Sequence, residues 1–221
     1  MRAKMPLGNE EGSWGDGSSG HADRARLETW RPAAVIDSPI GRLGADASDR
    51  GVTRLCLLPA DGASLHPALP IRRRARRYLE VLARQLAEYF DGRRHTFDVA
   101  LDPTGTTFQR RAWDVVRRIP FGETWSYQEV ARSLGQPHAP RAVGQANRRN
   151  PILLVIPCHR VIAADGTLGG YAVGEMLKRR LLAWEREGAS LSKANEETGD
   201  FPQAVRSNPV CGSEKNFGKN F

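Results

Sequence analysis

Cysteine is scarce in this 221-residue chain: Cys56, Cys158 and Cys211 are odd in number, far apart and never in a C-x-x-C pair. That spacing argues against a disulfide framework and a cysteine-built zinc site, and it leaves a reducing cytoplasm as the expected compartment. Long apolar runs are also missing. No stretch approaches the roughly 20 residues needed to cross a bilayer, so no membrane role is expected. No apolar segment follows the early charges at Arg2 and Lys4, which argues against a secretory signal. Internal repeats are absent. What remains is 40% hydrophobic with a mean hydropathy of −0.50, the composition of a soluble chain with a real core and some polar padding.

Charge of one sign is in excess: 33 Lys and Arg against 25 Asp and Glu, a formal net of +8. The two ends are close to neutral, and residues 103–188 hold 13 basic and 7 acidic side chains. A polyanionic partner fits that distribution, and so does a merely solvated surface.

Residues 1–28 are rich in Gly, Ser and charge, and 189–221 look similar, so both are expected to be disordered tails. Between them, Ala34-Val35-Ile36 and Gly51 to Leu58 are short apolar runs bounded by turn residues, which predicts a small antiparallel sheet. Leu79, Leu82, Leu86 and Tyr89/Phe90 recur at helical spacing between Ile71 and Phe90, and Asp91-Gly92 stops that helix. Its arginines Arg72, Arg73, Arg74, Arg76 and Arg77 suit a solvated outer face. Residues 29–102 thus form one α+β unit, and 101–105 read as a linker.

A helix is predicted from Thr107 to Ile119. Ser126-Tyr127-Gln128-Glu129 is a capping box opening a second helix that closes at Gly135. After a Pro-rich turn, Arg141 to Arg149 form a third, with Pro140 at or near its first position. Helix, short turn, helix in a basic region is a helix-turn-helix signal of moderate specificity.

The apolar run Ile152 to Ile156 ends at Pro157, and Cys158-His159-Arg160-Val161 follows. A cysteine after a buried segment and beside a histidine is a candidate nucleophile. An ordinary thiol is only about 3% ionised at neutral pH, so a base or a positive field must assist it.

In order along the chain stand Pro120-Phe121-Gly122-Glu123-Thr124, Ser126-Tyr127, Arg141-Ala142-Val143-Gly144, Asn150-Pro151, Ile156 to Val161, Gly170-Tyr171 and Leu181 to Glu185. This series strongly resembles the O6-alkylguanine-DNA alkyltransferases, closely over 104–188 and in general layout over 33–95. The resemblance implies a small ribonuclease-H-like N-terminal domain over 29–102. It implies a mainly helical, winged-helix-like domain with a helix-turn-helix over 103–188. It implies direct-reversal repair, in which methyl or larger alkyl groups pass from guanine O6, and by extension thymine O4, to Cys158.

Site roles follow by the same resemblance. His159 takes the thiol proton through a water, Glu185 orients His159, and Asn150 ties the helix-turn-helix to the active-site turn. Arg141 fills the stack vacated by a flipped-out base, with Ala142, Gly144 and Ala146 allowing close approach in the minor groove. Tyr127 crowds the nucleotide's phosphate and serves guanine N3. The carbonyls of Cys158 and Val161 accept from the exocyclic amine, Tyr171 walls the pocket, and the amide of Ala172 faces O6. The implied partner is double-stranded DNA containing O6-alkylguanine, met by a monomer that uses no metal and no cofactor and acts once. Pro140 and the pair Arg148-Arg149 depart from the family's usual residues. Three rivals remain: a lesion-binding module without transfer, a cysteine hydrolase, and a plain helix-turn-helix regulator.

Overall fold

The computed structural model describes residues 5, 30–59 and 71–198, with side chains as far as 191. It has an α+β architecture. Strands β1 (Ala34–Ile36), β2 (Leu43–Ala47) and β3 (Val52–Leu57) form an antiparallel sheet in the order β1-β2-β3. Its register sets Ala34 opposite Ala45 and Leu43 opposite Leu57, with an irregularity at Asp46/Ala47. Helix α1 (Arg73–Phe90) lies on β2 and β3 and buries Leu79, Leu82, Leu86, Tyr89 and Phe90, the periodic face expected of it. It starts two residues later than Ile71. Its five clustered arginines are all exposed.

Helices α2 (Thr107–Val116), α3 (Tyr127–Ser133) and α4 (Pro140–Arg148) pack on one another. The expected α2 end at Ile119 is corrected to Val116, because turn-type bonds carry the chain on from Arg117. Capping boxes open both α2 (Thr106 with Gln109) and α3 (Ser126 with Glu129); only the second was foreseen. Gly135 ends α3 with φ +72°, a backbone that glycine adopts without cost, and Pro140 sits in the first turn of α4.

Strand β4 (Trp125–Ser126) pairs in parallel with β5 (Val161–Ile162), with Trp125 opposite Val161. A 3-10 turn, Cys158–Arg160, precedes β5, and α5 spans Glu175–Thr198. The disordered tail expected from Ala189 is therefore corrected: the helix continues through 198. Residues 199–221 lie outside the described residues. So does the expected N-terminal tail, except at Met5, which is buried and whose amide donates to the Phe90 carbonyl at 3.2 Å.

Backbone contacts hold β3 to the rest of the chain. The segment 101–105, expected as a linker, begins pinned along β3: the Val52 amide donates to Ala100 O at 2.9 Å and the Asp102 amide to Val52 O at 2.8 Å. Leu55 of β3 is bridged to Ile152, its amide donating to Pro151 O and its carbonyl accepting from Leu153, each at 2.9 Å. Buried side chains from both halves form one apolar core. Among the described residues no helix is long and apolar enough to cross a membrane.

Candidate active site

The chain reaches Cys158 through a tight buried turn. Leu154 takes a left-handed φ of 67°, rare for a branched side chain and worth about 1–2 kcal/mol of strain, and its burial holds it there. The run 152–156 is thus a turn anchored to β3 at Ile152, and it delivers the cysteine from the core rather than from a loop tip.

Cys158 is buried, and its sulfur accepts from Asn150 Nδ2 at 3.0 Å. The same amide nitrogen donates to Ile156 O at 2.7 Å, while Asn150 Oδ1 accepts from the Ile152 amide at 3.0 Å. Asn150 follows α4 directly, so it braces both limbs of the turn against that helix. Burial pushes the Cys158 thiol above its ordinary value. The Asn150 hydrogen bond and the field of Lys178 oppose the shift without cancelling it. The thiol is therefore protonated near neutral pH, and ionising it requires a base.

The adjacent His159 is wholly buried, with Nε2 2.9 Å from Glu185 Oε1. Burial lowers its pKa against the pull of Glu185, so the ring is neutral. Glu185 is itself buried. Burial pushes its carboxyl up, but His159 and the Arg160 guanidinium hold it far below the ordinary carboxylate range. An ionised carboxylate only accepts, so Nε2 carries the hydrogen and Nδ1 keeps its lone pair. Nδ1 is buried with no hydrogen-bond partner among the described residues. The arrangement is a basic nitrogen one residue from a protonated thiol.

Glu185 has three further partners, none of them expected. Arg160 donates to Oε2 from Nε at 2.8 Å and to Oε1 from Nη2 at 2.9 Å, a bidentate fork, while its Nη1 reaches Ile119 O at 2.7 Å. The Gly122 amide donates to Oε2 at 3.3 Å. Tyr89, from α1, donates its hydroxyl to Oε1 at 2.6 Å. Lys178 was also missed: it is buried, and its ammonium donates to Val161 O at 2.7 Å and to Leu168 O. Burial lowers its pKa to about 8. Lys178, Leu181, Leu182 and Glu185 recur at i, i+3, i+4 and i+7, so helical spacing could have placed the lysine on the inward face. Nothing near Tyr89 in the chain points to residue 185.

Tyr127 opens α3 directly after β4, so the β4–β5 pairing sets it beside the cysteine turn. A Cβ built on Gly144 of α4 would lie 3.7 Å from its ring, and one on Gly169 would lie 3.2 Å from its hydroxyl. Burial, then the nearby Cys158, raise its pKa. Helix α4 buries Val143, Ala146 and Asn147 and exposes Arg141, Ala142, Gln145 and Arg148, with Arg149 exposed just after it. Ala146, expected on the DNA-facing side, is thus corrected to a core position, because it lies on the face of α4 that packs on α2. Trp113 Nε1 donates to Ala146 O at 2.9 Å, which locks α4 onto α2. The Tyr171 hydroxyl is buried without a hydrogen-bond partner among the described residues, and its ring stands edge-on to His159 at 6.4 Å. Ala172 is exposed. Val161 O already receives Lys178, and Cys158 O receives the Val161 amide.

Fold and site together define a class: an α+β protein with a buried cysteine, a histidine–carboxylate pair beside it, and a short helix with a basic outer face close by. A family model described as "6-O-methylguanine DNA methyltransferase, DNA binding domain" matches residues 107–187. A methylated-DNA–protein-cysteine methyltransferase from Methanosarcina barkeri is 44% identical over 151 residues, 68% of this chain and 94% of the relative. The protein of that name from Mycolicibacterium paratuberculosis is 43% identical over 158 residues, 72% and 94% of the two chains. Among solved structures, Mycobacterium tuberculosis OGT in complex with DNA superposes with a TM-score of 0.61 at 42% identity, covering 70% of this chain and 92% of that one. The chain belongs to the methylated-DNA–protein-cysteine methyltransferase family.

Proposed function

We propose that this protein repairs O6-alkylguanine in duplex DNA by moving the alkyl group irreversibly onto Cys158. The carrying observation is the hydrogen-bonded chain Tyr89/Arg160–Glu185–His159 ending one residue from a thiol that burial keeps protonated. His159 Nδ1 takes the thiol proton, through one water. The sulfur attacks the alkyl carbon, the S–C bond forms and the C–O6 bond breaks. The electron pair goes to guanine, which leaves as its anion or, with a proton from Tyr127, as the neutral lactam. All atoms and electrons balance without metal or cofactor. A thioether has no good leaving group, so each chain acts once.

The lesion must leave the stack to meet a buried sulfur. Arg141, exposed on the first turn of α4, fills the gap; Ala142 and Gly144 admit the sugar-phosphate backbone, and Tyr127 presses on the extruded nucleotide. Val161 O, Tyr171 and the Ala172 amide line the pocket, and O4-alkylthymine is a smaller-ring substrate for it. The N-terminal sheet and α1 correspond to a ribonuclease-H-like domain over 29–102. The helices over 103–188 correspond to a winged-helix-like domain whose helix-turn-helix is α3–α4. A reducing cytoplasm keeps the thiol available, and the protein works as a monomer.

Incubation with a duplex bearing O6-methylguanine should add one methyl mass to the Cys158 peptide, at most once per chain. Cys158→Ala should bind the lesion without transfer. Turnover beyond one equivalent would instead identify a hydrolase, and an unmodified Cys158 would leave only a binding module. Arg141→Ala should slow repair in duplex about tenfold more than reaction with a free modified base, and DNA affinity of the unsubstituted protein should fall as salt is added.

A further inference from the structure

We propose that Tyr89, supplied by the N-terminal half, is a positioning residue for alkyl transfer, its hydroxyl on Glu185 Oε1 setting how strongly that carboxylate draws on His159. The inference rests on the alkyl-transfer reading above. It starts from crowding at one atom: Oε1 takes Tyr89 at 2.6 Å, His159 at 2.9 Å and Arg160 at 2.9 Å. Three donors share one oxygen's electron density, so what one draws the others lose.

Packing does not require the hydroxyl. The Tyr89 ring lies within an aromatic cluster, edge-on to Phe90 at 5.2 Å, Trp184 at 4.8 Å and Phe121 at 6.1 Å. A phenylalanine ring would fill that space equally well. Burying a phenol instead carries a desolvation cost that one well-placed acceptor must offset. Here the acceptor is the carboxylate that holds the base, 96 residues away in sequence. Burial first, then the Glu185 charge, raise the Tyr89 pKa well above its ordinary value, so the group remains a neutral donor throughout the working pH range.

The sign follows from the donor count. With Tyr89→Phe, Oε1 turns more of its charge toward His159, and the imidazolium is stabilised. The neutral ring, the form that accepts the thiol proton, is then lost at a higher pH on the acid side. Other groups share this field and stay in place. Arg160 and the Gly122 amide hold the remaining sites on Glu185. His95 stacks on Phe121 at 4.1 Å and feels Glu185 and Arg160. Tyr171 feels Cys158 and Glu185, and Lys178 acts on His159 and Cys158.

The test is the pH profile of single-turnover methyl uptake by full-length protein from an O6-methylguanine duplex. Tyr89→Phe should move the acid limb upward by about half to one pH unit and leave the plateau rate within about twofold. Phe90→Leu, which loosens the same cluster without touching Glu185, should lower the unfolding midpoint and leave the limb unmoved. The Tyr89→Phe shift should persist in a His95→Gln background, which separates it from titration of His95. A superimposed profile for Tyr89→Phe, an equal shift in Phe90→Leu, or loss of the shift with His95→Gln overturns the proposal. Absence of methyl uptake by the unsubstituted protein overturns the alkyl-transfer reading, and this inference with it.

Discussion

At Glu185 five hydrogen bonds from Tyr89, Gly122, His159 and Arg160 meet one buried carboxylate. A charge in that setting is tolerated only because its partners come with it, and removing it strands the guanidinium of Arg160. Glu185→Gln should therefore cost about 3–5 kcal/mol at neutral pH, read by urea unfolding. The pH dependence has a definite sign. The folded pKa lies below the unfolded value of about 4.3, so the stabilisation is complete above that value and fades as pH falls through the folded pKa. The gap between wild type and Glu185→Gln should narrow in acid. His159 works in the same direction, since its lowered pKa makes folding less favourable as pH drops below about 6.5. A gap that still widens below about pH 4, beyond the range in which Glu185 favours protonation of His159, would mean that Glu185 is not ionised in the folded protein.

Among the elements, the short ones carry most of the positioning. Strands β4 and β5 have two residues each, yet their pairing sets Tyr127 beside the turn that holds Cys158. The capping boxes on α2 and α3 explain why such short helices start where they do. Ser126→Ala should cost about 1 kcal/mol and fray the turn that carries Tyr127. Gly51, just ahead of β3, is demanding for a different reason. A Cβ there would lie 2.5 Å from the Ala100 carbonyl oxygen, a backbone atom with no rotamer to escape into. Gly51→Ala should cost about 1–3 kcal/mol and part β3 from residues 100–102, measurable as a lower midpoint and faster amide exchange at Val52 and Asp102. The α1 face, the Ser126 cap and the Gly135 and Pro140 boundaries were legible in the sequence, because each depends on residues within one or two turns. The capping box at Thr106 is equally local, with Thr106 and Gln109 three residues apart. The end of α2 and the continuation of α5 past Gly188 were not legible: Arg117 to Ile119 carry no glycine or proline to mark the first, and a glycine ahead of 189 does not stop the second.

For the whole molecule, the decisive feature is that one core runs through both halves. Leu55 is tied to Ile152, Val52 lies along residues 100–102, and Tyr89 reaches Glu185. Cutting the Leu55–Ile152 tie should loosen the cysteine turn as well as the sheet. Denaturant unfolding should accordingly be a single transition, with far-UV dichroism and tryptophan fluorescence sharing one midpoint. Two separated midpoints would show that the N-terminal half unfolds without disturbing the site.

The sequence alone carried the local pattern of the candidate site: a cysteine beside a histidine after an apolar run, a capping box ahead of Tyr127, and a basic helix opened by proline. Such features are written in neighbouring residues, and their spacing is fixed by helix and turn geometry. The tertiary structure alone decided who holds Glu185 and how firmly. Tyr89, Gly122 and Arg160 approach it from three separate segments, and contacts made across long stretches of chain follow from how the core packs, which leaves no mark in local pattern.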